Sequence, residues 1–154
     1  MTQGFAQAIE SLLGEQVTLA QGINVLAEKQ FNALRGESDF SAEDSFEMAR
    51  MTSALEVYES EKGAMLQKAG LSMADVRSLA PAVSSQLELL RTELTAMREA
   101  IGRNAKLLDV QITRTKSMIA AVRLALGGGA DAVSEYDTHG RVRGSGSGSL
   151  LGAG

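Results

Sequence analysis

The chain has 154 residues but no cysteine or tryptophan, a single proline and a single histidine, and only 4% of its residues are aromatic. Each scarcity removes a class of protein. Without cysteine there can be no disulfide, thiolate metal site or cysteine nucleophile, which suits a reducing compartment. The lone His139 cannot build a histidine metal cage. No apolar run reaches the roughly 20 residues that span a bilayer. The opening MTQGFAQAIE lacks the basic-then-apolar order of a secretory signal. A cytosolic protein without membrane insertion is expected.

The residues that are abundant (Ala, Leu, Glu, Gln, Met, Arg) lose least freedom in a helix. With 44% hydrophobic residues, the chain can fill one core of ordinary size, and an all-α fold is expected. Phe5, Ile9, Leu12, Gln16, Leu19, Ile23, Leu26 and Gln30 alternate spacings of four and three, predicting a helix from about Phe5 to Arg35. A second stripe through Leu13, Val17, Ala20, Ala27, Phe31 and Leu34 widens the face enough for two neighbours. Gly36 is placed to stop this helix.

Ser41-Ala-Glu-Asp44 reads as the capping start of a second helix, with Met48, Met51, Leu55, Tyr58, Met65 and Ala69 as its stripe, Lys62 interrupting it and Gly70 ending it. Ser72-Met-Ala-Asp75 repeats the cap before a short helical turn. Pro81 then fits the first turn of the longest helix. Its heptads run through Val83, Leu87, Leu90, Leu94, Met97, Ile101, Asn104 and Leu108, and then Ile112, Thr115, Ile119, Val122 and Leu126, to Gly127-Gly128-Gly129. The expected architecture is an elongated bundle of three long antiparallel helices with coiled-coil-like packing. Residues 1–126 form it, and residues 127–154 are a flexible Gly/Ser-rich tail that buries too little to offset its ordering entropy.

Charge is unevenly spread: residues 1–80 carry a net −6 and residues 81–126 a net +3. A basic helix docking on acidic neighbours explains this better than a nucleic-acid surface, because the cations alternate with apolar residues and lack stacking aromatics. The seven methionines fall mostly at core spacing and read as ordinary packing.

A search for chemistry gives no catalytic site, cofactor or metal. Glu56, Glu59 and Glu61 come without the Glu-x-x-His of a di-iron bundle. The triple glycine follows a helix and lacks the Gly-Lys-Ser/Thr ending of a phosphate loop. Asp137-Thr-His139-Gly140 lies in a glycine-rich segment that would not hold a catalytic pair, and reads as a turn.

Three features stand together: two helices of about 30 residues, a long helix carrying Asn104-Ala-Lys-Leu107-Leu108, and a tail with Tyr136-Asp-Thr-His-Gly140-Arg141. In that order they resemble the FlgN family, bacterial flagellar type III export chaperones for hook-associated proteins. The resemblance implies a cytosolic chaperone that binds the helical C-terminal segments of the hook–filament junction proteins, prevents their premature assembly and aids delivery to the export apparatus. It places cargo binding late in the chain, on Leu107, Leu108, Ile112, Ile119, Val122 and Tyr136, each of which could equally pack in the core. A structural coiled-coil subunit that self-associates through the same stripe stays open, and with it a homo-oligomer.

Overall fold

The computed structural model describes residues 2–127. All regular structure among them is helical: α1 Thr2–Leu34, α2 Ala42–Ala69, α3 Met73–Leu79 and α4 Pro81–Ala125. The stop and start signals act where the sequence puts them. Gly36, at φ 78°, donates its N–H to Ala33 O while Glu37 N–H reaches Asn32 O, the paired bonds of a Schellman motif. Gly70 and Leu71 repeat this on Gln67 and Leu66. Ser41 and Ser72 each form a complete capping box, with Asp44 and Asp75 respectively. Ala80 is held extended, as a residue before proline prefers, and this breaks the chain cleanly between α3 and α4.

The chain divides into two units, Met1–Val110 and Gln111–Gly154. In the first, α1 is the central element. Ile9, Leu13, Val17, Ala20, Ile23 and Ala27 are all buried, so both expected stripes are covered. One core cluster joins Ile9, Leu13, Val17 and Ala20 of α1 to Val76 of α3 and to Val83 and Leu90 of α4, with Met65 and Leu66 of α2 packed against it.

Contacts fix the register around α1. Toward α2, Gln16 meets Glu59 and Lys62, and Lys29 meets Asp44, so numbers rise on one helix as they fall on the other. Toward α4 they rise together: Asn24 donates to Glu93 at 2.9 Å, and Asn104 donates to Ala27 O at 2.7 Å and Gln30 Oε1 at 3.0 Å. Lys62, which breaks the apolar pattern of α2, is the one buried residue of that helix. Its ammonium donates to Glu59 Oε2 at 2.6 Å and to Gln16 Oε1 at 3.3 Å.

In the second unit, residues 111–125 are helical and continue α4. The expected flexible tail lies, from Gly128 onward, outside the described residues. No helix among the described residues is long and apolar enough to cross a membrane.

Candidate partner-binding surface

In the second unit, Ile112, Ile119 and Val122 are all exposed, as is Leu126 just past the end of α4. Their spacings of seven, three and four place them along one strip of a helix. No residue from Gln111 to Gly127 is buried. The same stretch carries Arg114, Lys116 and Arg123 and no carboxylate. Apolar residues on a helix normally face another element, since each buried aliphatic side chain contributes about 1.5–3 kcal/mol. Among the described residues that gain is left unused. The strip is therefore an exposed apolar row with Lys116 and Arg123 along one side.

The expected site residues divide between the two units. Leu108 is exposed and Leu107 half-buried in the first; Ile112, Ile119 and Val122 belong to the second; Tyr136 lies outside the described residues. Asn104, which opens the Asn-Ala-Lys-Leu-Leu segment, is only 4% exposed. Both hydrogens of its amide point at α1, on Ala27 O and Gln30 Oε1. It acts as a peg that fixes the α1–α4 register and has no surface left for a partner.

Next to that peg is a feature that periodicity does not reveal. An open groove of about 720 Å³ lies between the end of α1 and α4, lined by Phe31, Arg98, Gly102, Arg103, Lys106 and Leu107 among others. The Arg103 guanidinium stacks 3.7 Å from the centroid of the Phe31 ring and donates to Glu28 Oε2 at 2.8 Å. A cation over an aromatic face is attracted by the ring quadrupole, so Arg103 is held while its neighbours stay at the surface. The sequence signal for this groove is the triad Arg98, Gly102 and Lys106 at four-residue spacing, which lies off the apolar stripe and so carries no hydrophobic periodicity.

Of the clustered carboxylates Glu56, Glu59 and Glu61, Glu59 has a structural role. Burial pushes the Glu59 carboxyl up, but hydrogen bonds from Lys62 and Gln16 and the Lys62 charge outweigh it and hold the group below its ordinary range. It serves as counter-ion to a buried lysine. Among the described residues, no cluster of three or more His, Cys, Asp or Glu side chains is placed to hold a metal ion. The described surface thus combines an exposed apolar row, cations and an open groove. No protein-family model, curated protein or solved structure matches the chain.

Proposed function

We propose that this chain is a non-catalytic cytosolic chaperone that holds an amphipathic helix of a client along the end of α4. The client class is the one implied by the resemblance to the FlgN family: the helical C-terminal segments of hook-associated proteins, kept from premature assembly and passed to the flagellar export apparatus. The elongated three-long-helix antiparallel bundle belongs to the same proposal.

One observation carries the reading, the exposed row of Ile112, Ile119 and Val122. A helix laid on it would complete a pair in the manner of helix-in-groove recognition. Leu107 and Leu108 are a separate group of contacts in the first unit, and Tyr136 is an anchor proposed from sequence alone. Self-association through the row is disfavoured by charge, because a stretch with three cations and no carboxylate would meet the same charges on a second copy.

Light scattering with and without a hook-associated C-terminal fragment tests this. A one-to-one complex is expected for the full chain. Replacing Ile112 and Ile119 with Ala should weaken it at least about tenfold, since two apolar anchors are truncated, with helicity unchanged. Fragment affinity unaffected by the double replacement would sink the assignment. A homodimer that excludes the fragment would replace it with the self-associating subunit.

A further inference from the structure

From the groove between α1 and α4 we infer a second docking site, specific for an acidic amphipathic helix of another protein. It does not depend on the client reading of residues 111–127. Arg98 and Lys106 lie two turns apart on α4, about 12 Å at 1.5 Å per residue. Neither forms a hydrogen bond or ion pair with any described residue. Midway between them is Gly102. A Cβ built there would meet nothing within 4 Å, so no packing among the described residues requires the glycine. Its cost within a helix is roughly 1 kcal/mol relative to alanine. What glycine supplies is close approach to the backbone, and the groove opens at that point, with Phe31 and Leu107 as its apolar lining.

These features define the complementary ligand. A helix lying along the groove would bear carboxylates at positions i and i+7 or i+8, about 10.5–12 Å apart, to meet Arg98 and Lys106. An apolar side chain at i+4, on the same face, would settle over Gly102 toward the Phe31 ring. Glu99 is the one carboxylate among the groove's lining residues, so the local balance is basic and selects an acidic occupant. This chain's own exposed row does not qualify, because residues 111–127 contain no carboxylate.

The probe is a synthetic Ala/Gln-based peptide of about 18 residues, long enough to populate a helix, with Glu at i and i+7 and Leu at i+4. A peptide of the same composition in scrambled order is the control. Fluorescence anisotropy on the full chain is expected to show saturable binding at least about tenfold tighter than the control's. Arg98→Glu with Lys106→Glu, and separately Gly102→Leu, should each weaken it about tenfold, two exposed ion pairs or one filled notch being of that size. Gly102→Leu improves helix propensity, so it tests the notch without endangering the fold. Equal affinity for the scrambled peptide, or binding indifferent to these replacements, overturns the site. So does recruitment to vesicles of anionic lipid that these variants abolish, because the cations would then serve a membrane surface. Titrating both ligands on the Ile112→Ala, Ile119→Ala double variant keeps the two readings apart: neither residue lines the groove, so the peptide's affinity should be unchanged while that of the hook-associated fragment falls.

Discussion

Lys62 sits where the heptad pattern of α2 asks for an apolar side chain, and its burial follows from its partners. Its long aliphatic stem packs as a hydrocarbon, while Glu59 and Gln16 take up the ammonium. Glu59 keeps 62% of its side chain in solvent, so the pair is half-hydrated. An ion pair of this kind contributes little net stability, because desolvating the ammonium offsets most of the Coulomb attraction. Lys62→Met keeps the stem and removes the charge, and it leaves Glu59 solvated and still bonded to Gln16 at 2.8 Å. The expected result in urea denaturation is a change between zero and about 1 kcal/mol in the stabilising direction. Lys62→Ala, which also removes the stem, should cost about 1–2 kcal/mol. A large loss with Met would show that the charge pair itself holds α2 on α1. The sequence could mark Lys62 only as an interruption: Glu59 is close along the helix, but the α1 surface that covers the stem and supplies Gln16 lies 46 residues away.

At the scale of elements, the boundaries were legible because each rests on local chemistry. Caps at Ser41 and Ser72, stops at Gly36 and Gly70, and the break at Pro81 need only a few neighbouring residues. The double stripe of α1 was legible for the same reason: Ile9, Leu13, Gln16, Val17, Ala20, Ile23 and Ala27 are buried, while Leu12, Leu19, Leu26 and the stripe's ends are half-buried. The groove was not, because it depends on the α1–α4 register, which Asn104 sets by reaching across to Ala27 and Gln30. Glycines show how local and tertiary causes differ. Gly102 has an ordinary helical backbone and open space around it, so Gly102→Ala should raise stability by about 1 kcal/mol. Gly70 holds φ 65°, where a side chain costs about 1–2 kcal/mol, so Gly70→Ala should lower stability by that amount. A Cβ at Gly22 would come within 2.8 Å of the Met51 sulfur, which puts it between the two. Melting temperatures of the three alanine variants should fall in the order Gly102, Gly22, Gly70.

The response of the whole molecule to pH follows from which groups folding perturbs. No histidine occurs before His139, so no side chain in residues 1–127 ordinarily titrates between pH 5 and 8. The perturbed acids all shift in one direction. Asp44 is held below its ordinary 3.8 by Lys29 and the Ser41 cap, and Asp75 by the Ser72 cap. Glu47 is lowered by Arg50, and Glu59 lies below its ordinary 4.5 through Lys62 and Gln16. A carboxylate with a lowered folded value contributes stability above its unfolded value and loses it as pH falls through the folded one. Lys62 is buried and Asp44 partly covered, but each ion pair keeps a partner in solvent, and screening keeps each contribution small. The melting temperature should therefore be level from pH 8 to 5, then decline steadily once pH passes below about 4.5. Protonation of Asp44 and Asp75 removes the acceptor half of two capping boxes in that same window, so helix loss by circular dichroism should begin with α2 and α3. Salt added at neutral pH should reproduce little of this, because it screens charge without protonating the caps. A melting transition that weakens between pH 7 and 5.5 would instead require a titrating group beyond residue 127, and replacing His139 would then abolish it.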